Sequence, residues 1–146
     1  MGGKDNKAHI YEINTSLNTF VEVTTLVERD FITSIRYSNN DEYLAVADNA
    51  KNVKCYKLDA SNKTSYVDIT RDLWQHHAGK ITSLAWSPDS THLATSSVDT
   101  HCFIYSPSKT TDFVQIKSIN NILLFSLNIL STRKTSFFDP HQIIFI

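Results

Sequence analysis

Short runs of β-branched and aromatic residues alternate with polar positions along most of the chain. Clusters of Ser, Asn, Asp and Pro punctuate them. Val, Ile, Thr, Tyr and Phe suit a pleated surface, and a two-residue alternation places one set of side chains on each face. The pattern predicts strands near 7–13 and 19–25, then near 31–37, 43–48, 52–58 and 65–70. A second group of four follows near 80–86, 92–97, 101–106 and 112–117. No stretch among them sustains a helical period. Ser38-Asn39-Asn40-Asp41, Ser87-Pro88-Asp89-Ser90 and Ser106-Pro107-Ser108 supply turn chemistry that a chain with only 3 Gly must find elsewhere. The long link from Thr70 to Gly79 is expected to be a surface loop.

The strand groups repeat. Ile32-Thr33-Ser34 recurs as Ile81-Thr82-Ser83, 49 positions on. Ser38 and Ser87, Tyr43-Leu44-Ala45 and His92-Leu93-Ala94, and Tyr56 and Tyr105 keep the same offset. A further element occurs three times, as Phe20-Val21-Glu22-Val23, Tyr66-Val67-Asp68-Ile69 and Phe113-Val114-Gln115-Ile116. Four short strands in a period of this length are close to the ~40–45 residues of a propeller blade. The fold class is therefore all-β. The arrangement is a partial β-propeller of about two and a half four-stranded antiparallel blades within residues 1–117. Full blades are expected near 31–70 and 80–117, and a half blade near 7–25.

The second blade resembles a WD repeat. Leu84-Ala85-Trp86-Ser87-Pro88-Asp89 matches the family's inner strand and turn. Leu93-Ala94-Thr95-Ser96-Ser97-Val98-Asp99 matches its second strand and tight turn. The resemblance implies a buried hydrogen-bonded set of His77, Thr95, Asp99 and Tyr105, with Tyr105 standing where the family has Trp. On paper His, Asp and a hydroxyl suggest a catalytic triad. A structural role is the better reading, since satisfied polar sets specify a fold without doing chemistry. The first blade breaks the pattern, with Glu28, Val46 and Ala50 at the His, Thr and Asp positions, and is expected not to form the same set. The half blade keeps Asp5 six residues before Tyr11, as Asp99 precedes Tyr105.

Composition narrows the function. The net charge of -1 offers no basic surface for nucleic acid or an anionic membrane. The run Ile122–Leu130 is far shorter than the ~20 residues of a membrane-spanning helix. No signal peptide or myristoylation pattern opens the chain. The acceptor triplets Asn14-Thr15-Ser16 and Asn62-Lys63-Thr64 are then chance matches, and the protein is expected to be cytoplasmic. Cys55 and Cys102 are read as free, small hydrophobes within strands. Gly3-Lys4 lacks the rest of a phosphate loop, and Ser96-Ser97 lacks a nucleophile elbow. His76-His77 has no Cys or carboxylate at ligand spacing. No catalytic, cofactor or metal site is expected, and the chain is read as a binding module, not an enzyme.

Further residues resemble the actin-interacting branch of the WD-repeat family, whose members are built of two propellers. These are Gly2-Gly3-Lys4-Asp5 leading to Tyr11, Arg29-Asp30-Phe31-Ile32-Thr33-Ser34, Asp48-Asn49-Ala50 and Ser83–Thr91. The resemblance implies the late blades of a second propeller, a cytoskeletal location, and actin and cofilin-type proteins as partners in filament disassembly. Arg29, Asp30, Arg71, Asp72, His76 and Lys80 enter the inner strands and are the candidate interaction loops. Two other readings stay open: a WD-repeat adaptor in another complex, or a truncated product without independent function. The stretch 118–146 continues no repeat and is expected to be aberrant or disordered sequence, from read-through or a frame change. Open blade edges beside such an apolar stretch predict a chain that is marginal or prone to aggregate.

Overall fold

The computed structural model describes residues 3–14, 18–62 and 64–117. The reading of 118–146 concerns residues outside that description, as do Thr15, Ser16 and Lys63 of the acceptor triplets. The described residues form ten strands. A two-stranded sheet pairs β1 (Lys7–Asn14) with β2 (Thr19–Val27). The first blade orders β3 (Ile32–Tyr37), β4 (Tyr43–Asp48), β5 (Val53–Leu58) and β6 (Tyr66–Asp68) side by side. The second orders β7 (Ile81–Trp86), β8 (Leu93–Ser97), β9 (His101–Ser106) and β10 (Lys109–Lys117) in the same way. Every pairing is antiparallel.

The two blades repeat in detail. Each carries a bulge at the start of its first pair, between Ile32 and Ser34 and between Ile81 and Ser83. The first turn of each is built on a serine hydroxyl. Ser38 Oγ donates to Asn40 (2.7 Å) and accepts from the Tyr43 N–H (2.9 Å). Ser87 Oγ donates to Asp89 (2.6 Å) and accepts from the His92 N–H (3.0 Å). Left-handed backbone falls at equivalent places, Asp41 and Ser90, then Lys51 and Thr100. Such positions usually favour Gly. Here side-chain hydrogen bonds hold the turns instead.

The largest apolar cluster lies between the blades. Ala45, Ala47, Val53 and Cys55 of the first meet Leu84, Trp86, Leu93, Phe103 and Tyr105 of the second. Small residues on one face admit large ones on the other, which is how close packing is reached without voids. Trp86 stacks on Tyr43 at 5.9 Å and donates its indole N–H to the Arg36 carbonyl at 3.1 Å.

The link from Thr70 to Gly79 runs over the surface, with Arg71, Asp72, Leu73, Gln75, His76 and Ala78 exposed, and is anchored inward at three positions. Thr70, Trp74 and His77 are buried. Asp68 causes the turn inward: its carboxylate accepts from the Thr70 and Arg71 N–H groups at 2.8 and 3.2 Å, which ends β6 early. Arg71 and Asp72 then take positive φ. The chain is thereby turned so that Trp74 stacks on Tyr105 at 4.5 Å and donates to the Thr110 carbonyl at 2.9 Å.

Candidate functional site

Hydrogen bonds join the loops that enter β3 and β7 to the tight turns after β4 and β8, so these segments share one end of the blades. Asn49 donates to Asp30 at 2.9 Å, and the Ala78 N–H donates to Asp99 at 2.7 Å.

In the second blade His77 lies between Asp99 and Thr95. Its Nδ1 is 3.0 Å from Asp99 Oδ2, and its Nε2 is 2.7 Å from Thr95 Oγ1. Burial opposes ionisation of Asp99. The His101 N–H, the His77 ring and the Ala78 N–H outweigh it and hold the carboxyl below its usual range. Burial also pushes the His77 pKa down, against the pull of Asp99. A neutral imidazole that gives its Nδ1 proton to Asp99 and accepts the Thr95 hydroxyl at Nε2 satisfies all three groups. Thr95 is 0 % exposed, so its oxygen is sealed from any substrate.

Tyr105 does not join this set. Its hydroxyl meets His76 Nδ1 at 3.3 Å. A phenol carries its polar atom at the tip of the ring, and the other neighbour of the Thr95 hydroxyl is the Phe103 carbonyl at 3.3 Å. His76 and His77 turn to different partners, and His76 packs on Phe113 with 3.8 Å between ring centres.

The first blade forms a polar set of its own, which sequence reasoning missed. Glu28 stands at the position of His77. It accepts from Tyr56 (2.6 Å) and pairs with Lys54 Nζ (3.0 Å). Burial raises its pKa, and both partners only offset that rise. Lys54 occupies the place of Phe103, and that exchange was the available signal. In the leading sheet Asp5 pairs within its own strand region. It bonds His9 Nε2 at 2.9 Å, and His9 Nδ1 meets Glu22 at 3.1 Å.

The six loop residues have distinct settings. Arg29 and Asp72 form an exposed ion pair at 2.9 Å, which joins the two loops. Asp30 accepts from Asn49 and from the Phe31 N–H at 2.7 Å, so it holds a turn. Lys80 lies 6.0 Å above the Phe31 ring. Arg71 and His76 are exposed at this end.

Residues 69–106 match the WD40 family model, described as WD domain, G-beta repeat. The chain is a WD-repeat protein. Actin-interacting protein 1 of Caenorhabditis elegans is 30% identical to it over 112 residues, covering 77% of this chain and 17% of that protein. The 66 kDa stress protein of Physarum polycephalum is 33% identical over 119 residues, covering 81% and 18%. Among solved structures, Chaetomium thermophilum Sqt1 bound to the N-terminus of the ribosomal protein L10 is similar, with a TM-score of 0.61 and 25% identity. The likeness covers 74% of this chain and 29% of that one. This WD-repeat chain thus spans under a fifth of the length of the curated relatives named here.

Proposed function

We propose that this WD-repeat chain is a protein-binding scaffold without chemistry of its own. Its partner is actin, and it promotes filament disassembly together with cofilin-type proteins in the cytoplasm, at the cytoskeleton. The similarity to actin-interacting protein 1 over 112 residues carries the reading. Among the candidate loop residues, Arg29, Arg71, Asp72 and Lys80 supply the contacts. Asp30 and His76 are tied to Asn49 and Phe113, and hold the loops in place.

The test is filament shortening in the presence of a cofilin-type protein. Adding the full chain speeds shortening. The paired variant Arg29→Asp with Asp72→Arg keeps the ion pair, exchanges the positions of its two charges and abolishes the gain. A folded chain that leaves the rate unchanged contradicts the proposal. The likeness to Sqt1 bound to a ribosomal protein segment favours a second reading, a WD-repeat adaptor in another complex. Under that reading the chain captures a peptide segment while leaving filaments untouched.

A further inference from the structure

Acids and bases are treated differently at the end of the blades where the chain enters β3 and β7. The carboxylates there have protein partners. Asp30 accepts from Asn49 and the Phe31 N–H, Asp99 accepts from the Ala78 and His101 N–H groups, and Asp5 meets His9. Glu28 is buried against Lys54 and Tyr56, Asp48 is buried against Asn52, and Asp72 pairs with Arg29. Lys4, Lys51, Arg71 and Lys80 are exposed, and none of them forms an ion pair among the described residues. At the opposite end Asp41, Glu42, Asp89 and Asp112 stand exposed beside Arg36, Lys57 and Lys109. The net charge of -1 therefore conceals one cationic end.

Lys4 and Lys80 flank an open cleft beside the first residues of β3 and β7. Phe31, Thr33 and Thr82 stand in its wall, and no Asp or Glu lines it. Lys80 lies over the Phe31 ring, a contact that favours this placement of the ammonium. Both blades carry their bulge here, at Thr33 and Thr82. Bulges interrupt strand pairing and recur beside functional sites. β3 and β7 are the inner strands, and inner strands face the central channel of a propeller. Adding blades to the two described here leaves those edges unpaired.

Resting on the contact surface read above, we propose that its cationic residues dock an acidic segment of a partner protein. One carboxylate of the segment enters the cleft between Lys4 and Lys80. Its neighbours meet Lys51 and Arg71 on the rim. Single exposed ion pairs contribute little and are screened by salt, so the segment must present several carboxylates, and its binding weakens as salt rises. Charge of one sign on this surface speeds encounter with an acidic partner and rejects basic ones.

The experiment measures fluorescence anisotropy of a labelled peptide of alternating Glu and Ser with the full chain, beside a control peptide with Gln for Glu. The Glu peptide binds, more weakly as salt rises, and the Gln peptide does not. Lys51→Glu with Lys80→Glu weakens binding by about tenfold or more, and Lys51→Gln with Lys80→Gln weakens it by less. Lys57→Glu with Lys109→Glu makes the same change in net charge at the opposite end and leaves binding within about twofold. Circular dichroism reports that each variant is folded. No binding of the Glu peptide to a folded chain overturns the proposal. So does an equal loss from both reversed pairs, which makes net charge the cause. Tighter binding of an RNA oligonucleotide of equal charge, lost with Lys51 and Lys80, overturns it in favour of a phosphate backbone. Peptide binding without filament shortening sinks the actin reading alone, and shortening without peptide binding sinks the acidic-segment reading alone.

Discussion

Glu28 and His77 stand at the same place in successive blades, and each is the buried centre of a polar set built from different partners. Lys54 and Tyr56 serve Glu28, where Asp99 and Thr95 serve His77. The position needs a satisfied polar group more than it needs one residue type.

Breaking the first set from one side should be costly. Glu28→Ala strands the Lys54 ammonium and the Tyr56 hydroxyl, and is expected to destabilise by about 3–5 kcal/mol in denaturant unfolding. The triple variant Glu28→Leu, Lys54→Met, Tyr56→Phe removes every polar partner together. It should return to within about 1 kcal/mol of the parent, or exceed it. A triple variant as unstable as Glu28→Ala would show that the ion pair itself is strongly favourable.

Asp99→Ala leaves the Ala78 and His101 N–H groups and the His77 ring without their acceptor. A loss of about 2–4 kcal/mol is expected, with Asp99→Asn intermediate because its carbonyl still accepts. A change within about 0.5 kcal/mol would remove the set from any structural role.

Stability should fall with pH through His77. Burial holds its folded pKa below the usual imidazole value, so the unfolded chain binds the proton more readily. The contribution is full above that value and is lost as pH drops through it. His9 has the opposite sign, since hydrogen bonds to Asp5 and Glu22 raise its pKa. The comparison therefore belongs in a His9→Gln background. There, unfolding midpoints should fall from about pH 7.5 to about pH 5.5, and His77→Gln should flatten the slope. An unchanged slope would contradict the assignment.

Trp74→Ala is expected to cost about 3–5 kcal/mol, the range for emptying a buried aromatic site. Trp74→Phe should recover most of this and lack only the bond to Thr110. A near-neutral Trp74→Ala would show that Trp74 does not anchor the segment 70–79.

The strands were legible because alternation and turn chemistry act locally. Each predicted strand appears, with ends displaced by up to three residues. The displacements have local causes, such as Asp68 ending β6. Ser38 and Ser87 mark their turns in the sequence, since the hydroxyl serves its own turn. What lay hidden depends on contacts between distant positions. Trp74 has no periodic neighbours to announce burial, and its partners Tyr105 and Thr110 lie more than thirty residues on. Glu28 looks like a lost His in the sequence because nothing local marks Lys54 and Tyr56 as its partners. The set of His77, Thr95 and Asp99 follows from the family resemblance, whereas the reach of the Tyr105 hydroxyl to His76 depends on ring length.

Co-sedimentation of the full chain with actin filaments, bare and decorated with a cofilin-type protein, tests the central claim most directly. The account predicts saturable pelleting with the decorated filaments, lost in the Arg29→Asp, Asp72→Arg pair. A folded chain that stays in the supernatant at every filament concentration would contradict it.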